Sequence, residues 1–484
     1  MYLILSLGFI AFVFSLLLTP VIRDAFGRMG LFDQPDGIRK NHQRPTPRVG
    51  GIAILLSYIA AFGIVMFLPF NYRTAIVRLA PEVWAVLLAA TVVFCTGLWD
   101  DLKGLKPWQK LSGELVAASI AYAAGVQIHL DSGNWLDPWL SIPLSIIWLI
   151  GCTNAFNLID GMDGLATGVG LFATLTMLLA ALTQSSLELA LVTMPLVGCL
   201  LGFLRYNFNP ASVFLGDCGS LFVGFLLGCF GVLWSQKSAT LLGMTAPLMA
   251  MAIPLLDAVL SILRRFLRHQ PIFSADRGHI HHRLLDRGLT PRRAALLLYG
   301  ICGLAATFSL LQSTMINNYG GLVVVLFCVA VWIGIQNLGY VEFGMARQML
   351  LKGTFRRMVD GQARLHQFEK DFQQAGTVEE CWKVIHALSR NFGFQSVRMS
   401  IQGKLFEEVI QPVQGTVSIQ LRIPLAGNQY VNFQRDMSAG DNIPILAQFA
   451  KTVELHLSAR LRREADAKVL HQQSSVQTVA ACGG

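Results

Sequence analysis

Residues Ala294–Val341 run for 48 positions without an Asp, Glu, Lys or Arg, and Met1–Ile22 do the same for 22. A hydrocarbon layer offers no water to backbone N–H and C=O groups, so such a stretch must close its hydrogen bonds within a helix, and roughly 20 apolar residues make one crossing. The longer run therefore holds two spans, with a turn at Asn317-Asn318-Tyr319-Gly320-Gly321. Hydrophobic residues are 54% of the chain and charged ones only 14%, which excludes an ordinary soluble domain. Eleven spans are predicted, near residues 2–22, 49–70, 82–99, 112–128, 137–153, 165–182, 188–204, 218–235, 241–263, 294–313 and 320–338. The fourth and ninth each carry one acid, Glu114 and Asp257. Met1–Ile22 lacks a basic leading segment and a small-residue cleavage site, so it reads as a retained span, not a signal peptide. The expected fold class is an all-α polytopic membrane protein of about 11 transmembrane helices, followed by a small cytoplasmic α+β domain.

Orientation follows from the basic residues. Loops after odd-numbered spans hold 18 Lys and Arg, against Arg73, Arg78 and Lys237 in the even-numbered ones. The positive-inside rule makes the odd loops cytoplasmic and the N-terminus external. This asymmetry accounts for most of the net charge of +9, and no aromatic-basic interleaving suggests nucleic acid. The nine cysteines are scattered with no CxxC pair, so neither a disulfide framework nor a zinc site is indicated.

Past residue 341 the character changes: residues 342–484 hold 13 of the 29 acids and no spanning run. The expected division is a membrane domain over 1–341, a helical linker over 342–374, an α+β regulatory or assembly domain over 375–464 and a disordered tail over 465–484. Val378–Phe392 reads as a helix, Val397–Ile401, Thr416–Ile423 and Gln429–Gln434 as strands, and Ile443–Arg463 as a closing helix. That order is similar to a GAF-type module.

Five polar loops carry the candidate chemistry, all on the cytoplasmic face. They are Arg39–His42 running on to Pro45–Gly51; Asp100-Asp101-Leu102-Lys103; Asn154 to Gly164; Phe214–Ser220; and Gly278–Arg283. Asp100 and Asp101 end a helix, where the dipole disfavours negative charge, so they need cationic partners, and Lys103, Lys106 and Lys110 follow. Asn154, Asn157, Asp160 and Asp163 recur every third residue, with Gly161 and Gly164 breaking the helix; amides beside carboxylates can read a base, a ribose or a sugar, or bind a hard cation. Asp217 is either a plain N-cap or a magnesium ligand, with Gly216 and Gly219 letting a ligand approach and Phe214 offering a ring. His279, His281 and His282 lie beside Arg277 and Arg283 without a cysteine, which favours phosphate contact over zinc. Asp257 is a further buried acid, equally readable as an interhelical contact. Six of the 16 acids in residues 1–341, namely Asp100, Asp101, Asp160, Asp163, Asp217 and Asp257, are candidates gathered at this one face.

The combination resembles the polyprenyl-phosphate N-acetylhexosamine-1-phosphate transferases, in particular the undecaprenyl-phosphate GlcNAc-1-phosphate transferase branch, over about residues 1–340. The resemblance implies a multi-span helical fold and a cytoplasmic, Mg2+-dependent site, with Mn2+ as a substitute ion. It also implies transfer of a sugar phosphate from a UDP-N-acetylhexosamine to undecaprenyl phosphate in the membrane lipid, releasing UMP. By motif, Asp100 and Asp101 match the acidic pair handling the lipid phosphate, and Asp217 the metal ligand. Asp160 and His279 complete the catalytic set. Lys40, Thr46 and Lys110 match phosphate-side positions; Asn154, Asn157 and Asp163 the nucleotide side; Phe214 an aromatic near uracil. His281, His282 and Arg283 match the substrate-binding histidine loop. That loop reads His-Ile-His-His-Arg, whereas the phospho-MurNAc-pentapeptide translocases carry three adjacent histidines. A transporter or membrane sensor is the reading from another class, and a homodimer or regulatory partner through the C-terminal domain stays open.

Overall fold

The structure is a computed structural model that describes residues 2–30, 45–67, 81–129, 137–235, 244–267, 278–314, 320–337 and most of 367–458. It divides into two compact units, Met1–Tyr340 and Val341–Gly484. The first is built from helices α1 (Tyr2–Arg28), α2 (Gly50–Val65), α3 (Pro81–Lys103), α4 (Pro107–Ala123), α5 (Asp137–Ile159), α6 (Leu165–Thr183), α7 (Leu187–Asn207) and α8 (Gly216–Ser235). They continue as α9 (Thr245–Ala250), α10 (Ala252–Leu267), α11 (Ile280–Asp286), α12 (Pro291–Thr314) and α13 (Gly320–Asn337). Seven of these are long and apolar enough to cross a membrane, and two apolar helices, Gly50–Val65 and Gly321–Gly334, are shorter. The expected fourth span falls on α4, a helix of 17 residues that begins at Pro107 with Lys110 and Glu114 inside it.

The expected ninth span needs correction: it is two helices, broken at Met251. Pro254 has no N–H to donate to the carbonyl of Ala250, so an uninterrupted helix would lose a bond there. The centre of this unit is α8. Of its apolar core, 94% is buried, against 33% for α1. It packs on α2, α3, α5 and α6. Without a hydrophobic drive between helices in lipid, small residues that admit close backbones select the contacts. A Cβ on Gly97 of α3 would collide with the backbone of Asp217 and Cys218, and one on Gly51 of α2 with the backbone of Gly219. These two contacts bring the ends of three motif-bearing segments together.

The second unit is described by α14 (Val378–Asn391) and strands β1 (Ser396–Ile401), β2 (Lys404–Val409), β3 (Ser418–Pro424) and β4 (Tyr430–Asp436). Thr377 and Glu380 close a reciprocal capping box at the start of α14, at 3.2 and 3.1 Å. The sheet is antiparallel in the order β2-β1-β4-β3. Val397, Met399 and Ile401 alternate into a core with Phe368, Phe394, Phe433 and Phe449. Strand β2, which the sequence did not suggest, pairs from Ser396↔Val409 to Ile401↔Lys404 around a turn at Gly403, whose φ is +76°. Most of the expected linker and the whole tail after residue 458 lie outside the described residues.

Candidate active site

The C-terminal end of α3 and the N-terminal ends of α4 and α8 meet at one place. Asp100 Oδ1 accepts from the Leu105 N–H at 2.7 Å, and Oδ2 accepts from Lys110 Nζ at 3.1 Å. The same ammonium donates to Asp217 Oδ2, so one cation stands between two carboxylates. Asp100 thus finds the cationic partner its place at a helix end requires; Lys103 instead lies over the Trp99 ring, 4.5 Å from its centroid.

Asp101 departs from expectation. Its Oδ1 accepts from the Asp217 N–H at 2.9 Å and its Oδ2 from the Cys218 N–H at 2.8 Å. It therefore caps the positive end of α8, turning an unfavourable position on its own helix into a favourable one on another. Both oxygens are thus engaged by backbone, an arrangement that suits positioning of α8 as well as the expected place among the catalytic acids. Asp217 is correspondingly not the N-cap: it sits inside the first turn with its side chain on Lys110. Gly216 turns the chain into α8 at φ +75°, and a Cβ there would meet the Asp101 carboxylate and the Arg48 carbonyl.

The first loop is drawn in through its backbone. Phe214 N–H donates to the Pro47 carbonyl, and the Gly50 and Gly51 N–H groups to the Phe214 and Leu215 carbonyls, all at 2.9 Å. This holds buried Thr46, exposed Arg48 and half-buried Phe214 beside the start of α8. Lys40 lies outside the described residues.

On α5 the two amides part company. Asn157 donates to Ser220 Oγ at 2.8 Å, whereas Asn154 donates to Glu114 and to the Ile150 carbonyl. Glu114 was missed as a site residue. It is 1% exposed on α4, one turn after Lys110, and its Oε1 has no hydrogen-bond partner among the described residues. Its sequence signal was an acid alone inside an apolar stretch. Asp160 follows the end of α5; loss of hydration, with Asp217 the largest neighbouring charge, pushes its carboxyl well above the usual range. Asp163 is engaged elsewhere: its Oδ2 accepts from Asn209 Nδ2 and the Ala211 N–H, both at 3.0 Å, clamping the α7–α8 connection.

The histidine loop is fastened to α10. Asp257 accepts from the Ile280 N–H at 2.8 Å and from His279 Nδ1 at 2.9 Å, so the carboxylate fixes the proton of His279 on Nδ1. Asp257 is therefore the anchor of this loop. His281 stacks on His279 at 5.7 Å and lies 4.3 Å from His282. It is buried against Gly161, next to Asp160, and neither ring nitrogen has a partner among the described residues. Burial first, and His282 next, push its pKa down to about 3. Arg283 reaches back to the Gly278 carbonyl at 3.3 Å.

This constellation, with α3 to α8 at its centre, coincides with the profile of glycosyl transferase family 4, which matches residues 83–235. The chain is 33% identical over 299 residues to a protein of Bacillus subtilis (strain 168) named probable undecaprenyl-phosphate N-acetylglucosaminyl 1-phosphate transferase, covering 60% of this chain and 80% of that one. The chain belongs to glycosyl transferase family 4. Two other relatives of this transferase frame it. A decaprenyl-phosphate N-acetylglucosaminephosphotransferase of Mycobacterium tuberculosis is 32% identical over 330 residues, 62% of this chain and 80% of its own. A phospho-N-acetylmuramoyl-pentapeptide-transferase of Levilactobacillus brevis is 30% identical over 281 residues, 54% and 83%. The family-4 match contains Asp100, Asp101, Lys110, Glu114, Asn157, Asp160 and Asp217, and the histidine loop lies beyond it. With seven helices among the described residues long and apolar enough to cross a membrane, the chain is a multi-pass membrane transferase.

Proposed function

We propose that this chain is a polyprenyl-phosphate sugar-1-phosphate transferase, moving N-acetylglucosamine-1-phosphate from UDP-N-acetylglucosamine to undecaprenyl phosphate at the cytoplasmic face of the inner membrane. The carrying observation is the Lys110 ammonium shared by Asp100 and Asp217 where three helix ends meet. The relatives' printed names supply the lipid carrier and the sugar, and the 18-to-3 asymmetry of basic residues supports the orientation. The product fits the first step of a cell-envelope polysaccharide.

Phosphoryl transfer is chiefly positioning and charge neutralisation. An oxygen of the lipid phosphate forms a bond to the sugar-bearing phosphorus, and the phosphoanhydride bond to UMP breaks. Asp101 is committed to α8, and Asp100 accepts from both Leu105 and Lys110. Neither is an unencumbered nucleophile, which favours direct attack over a route through an enzyme-bound phosphate. Lys110 offers its charge to the phosphates, and His281 presents nitrogens without a partner among the described residues, packed against Gly161. No group of three or more His, Cys, Asp or Glu among the described residues forms a metal-holding cluster. Mg2+ is commonly held by one or two carboxylates, its other positions filled by water and substrate phosphates. Asp217 with Asp100, hard donors already attracting one cation, fit such an ion. Once bound, it would offset the diphosphate charge.

The test is UMP release by the purified full chain supplied with undecaprenyl phosphate and, in parallel, UDP-N-acetylglucosamine or UDP-MurNAc-pentapeptide. Release with the first donor is expected. Release with the second alone would transfer the assignment to the pentapeptide reading that the Levilactobacillus relative represents. Release with neither would refute the class. For the unit after Tyr340 we infer a regulatory or assembly role with GAF-like element order.

A further inference from the structure

The structure assigns a second lipid site, for an anionic phospholipid of the surrounding bilayer, in the groove between α1, α7 and the start of α12. The groove encloses about 890 Å³. Its walls are apolar, from Phe12 and Leu16 on α1 and Leu201 and Leu204 on α7. At one end stand two guanidiniums, Arg205 in the last turn of α7 and Arg292 in the first turn of α12. Both are exposed, and neither is paired with a carboxylate among the described residues.

Each arginine rests on an aromatic face: Arg205 lies 6.0 Å from the centroid of Tyr206, and Arg292 5.6 Å from that of Phe208. A guanidinium over a ring still has its N–H groups for a further acceptor, and its fork suits bidentate grip of a phosphate. By the distribution of basic residues, this end of α1, α7 and α12 is the cytoplasmic one, so the cations sit at headgroup level with the apolar walls running inward. Two charges over an apolar trough match an anionic head with its chains. A free phosphate would leave the trough unused, and a zwitterionic head would set an ammonium against the arginines.

The groove is separate from the Lys110 cluster, yet Asn209 lines it while donating to Asp163. An occupant would therefore press on the same α7–α8 connection that Asp163 clamps.

The test is native mass spectrometry of the full chain in detergent, offered phosphatidylglycerol, phosphatidylcholine or undecaprenyl phosphate at equal concentration. The intact chain should retain phosphatidylglycerol preferentially. Arg205→Gln with Arg292→Gln should weaken that retention roughly tenfold or more. The charge-matched control Arg287→Gln with Arg293→Gln should not. Leu201→Trp, which fills the trough and leaves both charges, should also lose the lipid, so the idea stands or falls even if the double variant folds poorly. Retention by both altered grooves, equal loss in the control, preference for undecaprenyl phosphate over phosphatidylglycerol, or a change of dimer content with lipid unaltered would each overturn it.

Discussion

At the scale of single residues, the chemistry turns on how charges are answered. The Asp217 side chain faces a cation, and only its backbone N–H joins the cap of α8, so its charge can be removed without breaking that cap. Asp217→Asn should lower UMP release roughly a hundredfold or more, with the thermal midpoint close to that of the unaltered chain. Near-normal release at limiting magnesium would remove Asp217 as the metal-holding group. His281 gives a second expectation. Its pKa falls from 6.5 to about 3 on folding, so between those values the unfolded chain binds a proton that the folded one refuses. The stability present above that window is lost as the pH falls through it. Melting curves between about pH 7 and 5 should show a steeper decline for the unaltered chain than for His281→Gln; parallel curves would exonerate His281. Asp217 and Lys110 were legible in the sequence because each sits in a short polar island. The roles of Asp101 and Glu114 were not, since their partners lie on other helices and no local pattern names them.

At the scale of elements, two helix ends are repaired by one side chain. An α3 carboxylate supplies the acceptors that the first turn of α8 lacks. Asp101→Asn keeps one acceptor and loses the charge, a cost of about 1–2 kcal/mol that should appear as a lower melting midpoint. Asp100→Asn can still accept from Leu105 and should chiefly reduce UMP release. The reverse pattern, Asp101→Asn stable and inactive, would return Asp101 to the chemistry. The apolar runs made most helices readable, whereas the break at Met251 was hidden by the unbroken hydropathy around it. Strand β2 was hidden for another reason: Leu405 and Val409 are exposed and Glu407 and Glu408 face water, so no inward alternation marks it.

At the scale of the whole molecule, every motif loop precedes Val341, and the second unit has a phenylalanine-rich core of its own. A chain ending at Tyr340 should retain most of its UMP release. A well-inserted, well-folded shortened chain without activity would show that the second unit completes or gates the site. Two-unit organisation was visible in composition alone, because spans exclude charge and the later residues are rich in it.

The bond from Asp101 to the start of α8 joins residues 116 positions apart. Synthesis runs from the N-terminus, so the ribosome delivers the acid long before the amides it serves. Until Cys218 has emerged and α8 has entered the membrane, α3 carries a carboxylate at its disfavoured end with no donors. Completion of the catalytic end is therefore a late event in biogenesis, and a nascent chain halted at Asn207 would contain helices α1 to α7 without the cap between α3 and α8.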